Sequence, residues 1–557
     1  MKKFRLSVCD GMKRMYGRYS AASAYKKFFL FLSAFTLFSV TVFTFTSGNW
    51  YFDSDVATAN LLAEAMLREG TLFPEGWTYG QDIWTFFLHM PIALFTILSD
   101  NSVAMRSWAA MIFIVMAALS CVYFSRKSLR SHAWAVAVPF LFCGISYEYS
   151  YMVFGQCAYL PQIIFMFLSV GLFCDAVDDN YAVRSKVKLG LLALLLAFMC
   201  TSGMRNAQSV VIPLLGAIVL VYFIDNHGKS PSELRPSLPK ALISCVILAI
   251  SACVGFAVFL WLSKNTHYNA GVVGNLHLTD VKLVWEKLGA FLSYFLNVFN
   301  VISGAELFSV KGIMALLGLV CFVLIGIVFP VLQFKKYNEE SFGVRIFLMF
   351  SAVHILEIFI LAVFTTLYTV PRYVLTAQML LFFISAHYIF KYVLPHVKPI
   401  RTLAVALLVF AFTFPQAAIH VLNAKDHREM MDKQTGICDF LEENGLSYGF
   451  ATYWNAGRYT VLSDGAVEIN GIILGGDGSM INYFWLNDME RYTEETHSGE
   501  SFLLFTGEEN ELFYGSPTYN ALGEPLRTLE YENYIIYVYG YNLSAAGFSD
   551  PSNNLSE

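Results

Sequence analysis

Two carboxylates one residue apart, Asp53 and Asp55, stand where the first long apolar stretch of the chain ends, in Tyr51-Phe52-Asp53-Ser54-Asp55-Val56-Ala57. A carboxylate half withdrawn from water at a membrane edge has a raised pKa and is a stronger base for it. One of the pair could be a general base that takes the proton of an attacking hydroxyl, the other orienting it or helping to hold a divalent metal. The structural alternative is that one of them caps the helix that begins near Val56, a role Asp fills well.

The elements that must position these acids are set by hydropathy. The chain has 557 residues, 56% of them hydrophobic and only 14% charged, with 50 Phe. A soluble chain could not cover that much apolar surface, so the expected fold class is a polytopic α-helical membrane protein. Eleven apolar segments are candidates to span: 27–47, 103–124, 132–150, 158–177, 188–203, 207–224, 240–262, 311–333, 344–369, 373–393 and 400–422. The N-terminus and alternate loops carry 23 Lys/Arg and the intervening loops 8, which predicts a cytoplasmic N-terminus. With an odd number of spans, the C-terminal region is expected outside the cytoplasm. The basic start followed by an apolar run lacks a small-residue cleavage signature after Thr46, so an uncleaved first helix is expected.

Charge divides the chain as well. Residues 424–557 hold 22 acids against 6 Lys/Arg, leaving a basic body before them. The expected domains are a transmembrane body, 1–423, with outer loops 48–102 and 263–310; an extracytoplasmic α/β domain, 424–543; and a disordered, Ser- and Asn-rich tail, 544–557. In the first outer loop a helix follows Asp55, with Glu64 and Arg68 at i,i+4 on its polar face, and Asp82 to Ser99 reads as a second helix. In the other, Leu283 to Val301 reads as an interfacial helix. The C-terminal domain is expected to start with a helix over 428–444 and to contain strands at Tyr448–Thr452, Ser501–Phe505 and Tyr534–Tyr539. Eight of ten cysteines lie in or beside apolar spans and no Cys/His metal spacing occurs. No concentrated basic face suggests nucleic acid as a partner.

A family resemblance rests on the stretch from Asp55 to Arg106. Asp55-Val56-Ala57-Thr58-Ala59-Asn60-Leu61-Leu62-Ala63-Glu64-Ala65-Met66 resembles the Asp-Glu-Ala-x-Tyr-x-x-x-Ala-x-x-Met segment that follows the first transmembrane helix of GT-C glycosyltransferases, among them aminoarabinose transferases and protein O-mannosyltransferases. In the same order, Gly70-Thr71-Leu72-Phe73-Pro74, His89-Met90-Pro91-Ile92-Ala93-Leu94 and Asp100-Asn101-Ser102-Val103-Ala104-Met105-Arg106 look like later family segments, and Pro371-Arg372-Tyr373 looks like the Arg-Tyr pair opening a late helix. The departure is Val56, where the family often has Glu.

The resemblance implies an inverting transfer of sugar from a polyprenyl-phosphate donor to a glycan, lipid or protein acceptor of the cell envelope, outside the cytoplasm. It implies Asp55 as catalytic carboxylate, with Asp53 as its partner. Asp-x-Asp also resembles the metal-binding acids of oligosaccharyltransferases, so Asp53 and Asp55 would be the ligands of a divalent metal if one is used; no other cofactor is implied. A donor phosphate needs cations, and Arg205 and Arg372 each sit where a span meets the outer surface, with Lys264 a poorer third. Such arginines also serve simply as anchors.

Tyr373, Gln156, Tyr159, Gln81, Asp82, Trp84 and His89 could line the same site, with Glu148 nearby. Trp84 could stack on a pyranose or act as an interfacial anchor. His354 and Glu357, one turn apart in the ninth span, could form a proton path or bond to each other within the bundle. Tyr453-Trp454-Asn455, Arg458 and Ser463-Asp464-Gly465 could contact an acceptor glycan or belong to a structural lid. The rival readings are a polymerase or ligase with a diphosphate donor, a flippase without chemistry, and an inactive scaffold. Few charges in the spans and acids clustered in residues 53–100 favour an enzyme.

Overall fold

A computed structural model describes residues 24–99, 101–228, 238–271, 276–395 and 399–546. The predicted tail lies outside the described residues from 547 onward.

All eleven apolar segments form helices, but they are not eleven equal crossings. Among the described residues eight helices are long and apolar enough to cross a membrane, from Ala24–Phe45 to Thr402–Leu422. The segment expected at 132–150 is instead a bent pair, Trp134–Phe142 and Tyr147–Gly155, at 97° to each other. Gly144 turns the chain there with φ +66°, and a Cβ at that position would run into His420 and Ser150. Two further segments give helices of only 17 and 15 residues, Leu160–Ala176 and Lys186–Cys200, short of the roughly 20 residues a straight crossing takes. The second of these stops where Gly203 takes φ +130°. Bulky apolar side chains such as Phe31, Leu119, Leu194 and Phe223 point outward from the bundle, as a lipid-facing surface requires. The protein is a multi-pass integral membrane protein with a C-terminal sheet domain.

That domain begins with the helix Ala424–Glu443. Counting the two-residue strands β1 (Thr78–Tyr79) and β2 (His267–Tyr268) first, its strands are β3 (Tyr448–Thr452), β4 (Glu468–Leu474), β5 (Met480–Asn482), β6 (Ser501–Thr506), β7 (Arg527–Tyr531) and β8 (Tyr534–Tyr539). They form one sheet in the order β5-β4-β3-β6-β8-β7, with β4-β3-β6 parallel and the outer pairings antiparallel. The three strands expected from sequence are present. β4 is hidden in the sequence by Asn470-Gly471, which reads as a turn; here Asn470 is fully buried and its amide donates to the Arg491 carbonyl at 3.3 Å.

Bundle and domain meet on the helix Ser54–Glu69. Asp53 caps its start, accepting from the Val56 amide at 2.9 Å, and Gly70 at φ +66° ends it in a left-handed cap. Ala59 and Ala63 pack into the core of the bundle. Val56, Ala57, Leu61, Leu62, Ala65 and Met66 belong to a second core with Ile437, Leu441, Ala456 and Tyr459 of the domain. Glu64 and Arg68 do not pair along the helix. Glu64 takes Arg491 of the domain at 2.8 Å, and Arg68 takes Asp488 and, at 3.6 Å, Glu490. Backbone bonds from Thr78 to Asn487 and from Met489 to Gly76, at 2.9 and 2.8 Å, extend the seam.

The second helix of this loop is shorter than expected, His89–Phe95 rather than Asp82 to Ser99. The residues before it are held by other partners: the Ile83 amide donates to the Ser202 carbonyl at 2.9 Å, and the Thr85 and Ser202 hydroxyls lie 2.6 Å apart. In the other loop the helix is Val284–Val298, and it clamps the chain before Arg372, with Tyr294 donating to the Thr369 carbonyl at 2.7 Å and Lys287 to that of Leu367 at 3.1 Å.

The Asp488 side chain is 1% exposed and pairs with Arg68. Arg68→Met is therefore expected to destabilise the docked domain by about 1–3 kcal/mol. The change should be read as a lower thermal midpoint together with faster hydrogen exchange in residues 54–69.

Candidate active site

A cavity of about 330 Å³ opens between the bundle and the domain, within the lower range of small-molecule sites, about 300–1,000 Å³. Asp55, Asp82, Trp84, Gln156, Tyr159, Arg205, Arg372 and Tyr373 all line it, as does Gln81. Among the residues singled out from sequence, His89 and Asp53 lie elsewhere. His89 is buried among Leu88 and Ile92, 1% exposed, and is not part of the lining. Asp53 has both oxygens engaged away from the cavity, Oδ1 by the Val56 amide and Oδ2 by the Tyr151 hydroxyl.

Asp55, in the first turn of the same helix, accepts a hydrogen bond on Oδ1 from the Tyr453 hydroxyl at 2.6 Å. Burial raises its pKa above the ordinary carboxylate value; the Tyr453 bond opposes that, the nearby Asp53 charge adds to it, and Arg372 pulls it down. Tyr453 itself is held well above its usual pKa by burial and by Asp55, so it remains a donor. The Tyr453 carbonyl in turn accepts from the Ser54 hydroxyl, which ties the two chain segments together on both sides of the carboxylate.

The two arginines differ in how far they are committed. Arg205 lies 3.4 Å from Asp82 and 4.9 Å over the ring of Tyr159. Burial raises the Asp82 pKa and the Arg205 charge works against it. Arg372 stands in the field of Asp55 and of Glu148. Yet no carboxylate of the described residues comes within ion-pair distance of its guanidinium. Arg372 is thus the less neutralised cation in the cavity. Lys264 sits exposed at the end of its helix and does not line it.

The bend that carries Gln156 and Tyr159 has its own anchor. The buried Arg106 donates to the Gly155 and Gln156 carbonyls at 3.0 and 3.3 Å, taking up groups left unpaired where the bent helix ends. A smaller hollow of about 90 Å³ behind Tyr159, Arg205 and Tyr373 reaches His354 and Thr376. His354 bonds to Thr376 at 2.8 Å and not to Glu357. In the domain, Asp464 accepts from the Ser102 amide at 2.8 Å, so Ser463-Asp464-Gly465 is a docking turn.

Among the described residues, neither aspartate belongs to a group of three acids close enough to close around an ion. The acids among the described residues close enough to share one are Glu69, Asp488 and Glu490, and Arg68 already pairs with all three.

The lining also includes residues the sequence reading passed over: Trp485, Leu486, Tyr268, Gln162 and Gln208. Gln162 and Gln208 carried a usable signal, as amides inside apolar helices. Trp485 did not, because only the docking of the domain brings it to the bundle.

No protein-family model matches the chain, and no curated protein matches its sequence. Among solved structures, ArnT from Cupriavidus metallidurans bound to undecaprenyl phosphate is similar in chain path, with a TM-score of 0.45 and 10% identity over 92% of this chain and 98% of that one. The Archaeoglobus fulgidus oligosaccharyltransferase, in a complex with Zn and sulfate, gives a TM-score of 0.43 and 13% identity over 85% of this chain. The chain spans 66% of that protein's length. The apo form of the same oligosaccharyltransferase gives 0.45, at 13% identity, over 88% of this chain and 70% of that one.

The Tyr453 hydroxyl favours the charged form of Asp55, so its removal must raise the Asp55 pKa further. In Tyr453→Phe the carboxyl infrared band assigned to Asp55, recognised by its loss in Asp55→Asn, is expected to titrate at higher pH than in the wild type. An unchanged or lower midpoint would contradict the assigned bond.

Proposed function

We propose that the chain is a GT-C-type glycosyltransferase that moves a sugar from a polyprenyl-phosphate donor to a cell-envelope acceptor on the extracytoplasmic side. The observation that carries this reading is one cavity at the bundle–domain seam that holds a half-desolvated carboxylate, Asp55, opposite an uncommitted guanidinium, Arg372. A base and an anion-binding group facing each other across a space of that size suit a displacement at a sugar carbon.

In the proposed step an acceptor hydroxyl attacks the anomeric carbon from the side opposite the phosphate. The new C–O bond forms as the bond to the phosphate oxygen breaks, and Asp55 takes the hydroxyl proton. The polyprenyl phosphate leaves with the electron pair, its charge met by Arg372 and, more weakly, by Arg205, which already answers to Asp82. One displacement inverts the anomeric centre. Tyr373, Tyr159, Gln156, Asp82 and Trp84 would hold the sugar and phosphate, and the polyprenyl chain would run into the bilayer. No step is assigned to a metal.

A single uncommitted arginine fits a monophosphate better than the greater charge of a diphosphate, which weighs against the polymerase or ligase alternative. A flippase would have no use for a base with a raised pKa. The excess of Lys/Arg in the N-terminus and alternate loops supports a cytoplasmic N-terminus, with the sheet domain outside.

Asp55→Asn is expected to lower transfer from a radiolabelled undecaprenyl-phosphate-linked sugar by about 10²–10⁴-fold with its thermal midpoint kept. Arg372→Ala should weaken undecaprenyl phosphate binding more than Arg205→Ala does; full transfer by Asp55→Asn would remove the base assignment. For orientation, a cysteine replacing Ser463 should react with a membrane-impermeant thiol reagent in intact cells. Reaction only after lysis would reverse the topology.

A further inference from the structure

The charged groups of the cavity come from the bundle, whereas the domain brings aromatic rings. Trp454 is 56% exposed, and its ring meets that of Tyr453 edge-on at 5.2 Å and 69°. Tyr453 meets Tyr483 in the same manner, at 5.2 Å and 83°, and its hydroxyl is the donor to Asp55. Burial and the Asp55 charge both raise the Tyr483 pKa, which sets that phenol near the carboxylate too. The chain after β5 alternates: Phe484 enters the core of the domain, while Trp485, on the other side, lines the cavity. Gly80 permits this approach, since a Cβ there would lie 3.0 Å from Trp485 Cζ2.

These rings are held in place. Tyr453 and Trp454 follow directly on the central strand β3, and the Tyr453 carbonyl is bound by Ser54. The Tyr483 amide donates to the Gly471 carbonyl at 2.9 Å, and its own carbonyl accepts from the Tyr492 hydroxyl at 3.0 Å.

We propose that Tyr453, Trp454, Tyr483 and Trp485 form the acceptor subsite, and that the acceptor is a neutral saccharide reaching Asp55 from the domain side. This rests on the glycosyl transfer proposed above. A saccharide has an apolar C–H face and a rim of hydroxyls, and tryptophan and tyrosine offer the matching combination of flat apolar ring and polar edge. None of the four side chains carries a charge, so the surface asks for none on its ligand. A lipid acceptor would come through the bilayer, on the side of the arginines, and an extended peptide would need backbone donors and acceptors, which ring faces do not supply. The hydroxyl that attacks would be the one set on Asp55 beside the Tyr453 phenol. Its proton goes to Asp55, and its oxygen bonds to the donor sugar as the phosphate leaves.

The test is a saturation-transfer NMR titration of the purified full chain in a detergent without a sugar headgroup. The probes are cellotriose, maltotriose, mannotriose and triacetylchitotriose, with undecaprenyl phosphate binding measured in parallel. At least one trisaccharide is expected to bind saturably, Trp454→Ala to weaken it about tenfold, and Trp454→Phe to restore most of the loss. Trp454→Ala should bind undecaprenyl phosphate like the wild type, which also reports an intact fold. No binding of any trisaccharide, or equal binding by wild type and Trp454→Ala, overturns the proposal. Saccharide binding by a wild type that ignores undecaprenyl phosphate would sink the donor reading and leave the aromatic subsite standing.

Discussion

A carboxylate drawn out of water has to be answered by something, and Asp55 is answered from 398 residues away, by the Tyr453 hydroxyl. That bond exists only if the sheet domain sits on the bundle, so the state of the candidate base is tied to domain docking. The docking is in turn built on one helix. Ser54–Glu69 gives two alanines to the core of the bundle and most of its remaining apolar residues to a core shared with the domain. Its exposed charges are spent across the same seam, on Arg491 and Asp488. A helix of 16 residues is marginal by itself; here its burial on opposite sides fixes the carboxylate in its first turn.

The cavity is assembled from chemically unlike halves. Bundle segments supply Arg205, Arg372 and the tyrosines beside them, while the domain supplies the Trp485 indole to the lining and the Tyr453 phenol to Asp55. The pairing of Arg205 with Asp82 keeps a half-buried guanidinium compensated. Arg372, without such a partner, has its charge available. An arrangement with both cations neutralised would bind an anion poorly, and one with neither neutralised would be costly to hold before any ligand arrived.

Much of this was legible in the chain because membrane topology limits what a polar residue can be doing. Asp55, Arg205, Arg372 and Tyr373 stand out where apolar runs end, and they do share a cavity. What spacing could not divide was the Asp-x-Asp pair, in which Asp53 caps the helix and Asp55 faces the cavity, since a cap and a base are drawn from the same residue types. Periodicity misplaced the Asp82 helix because the amide of Ile83 is claimed by Ser202, a tertiary partner more than a hundred residues on. Hydropathy saw all the apolar segments, and the shortness of the one at 188–203, but not the bend at Gly144 or the shortness of Leu160–Ala176. Of the aromatic rings near Asp55, Tyr453 and Trp454 stand out in the chain, whereas Tyr483 and Trp485 have no local pattern; Trp485 reaches the cavity only because β5 and Gly80 bring it there.

The remaining constraint is on Arg372, whose segment is not part of the shared helix. The turn before it is gripped by Val284–Val298 through Tyr294 and Lys287. The same region exposes Leu283, Trp285 and Leu292 at 45%, 78% and 54%. A bare apolar face of this kind is what an amphipathic helix presents to the boundary between headgroups and acyl chains. The helix holds the 365–370 turn through those two bonds, and the turn leads directly into Arg372. Asp55 is fixed from the domain and Arg372 from the helix Val284–Val298, so the distance between the proposed base and the proposed phosphate site depends on two separate parts of the chain docking on the bundle.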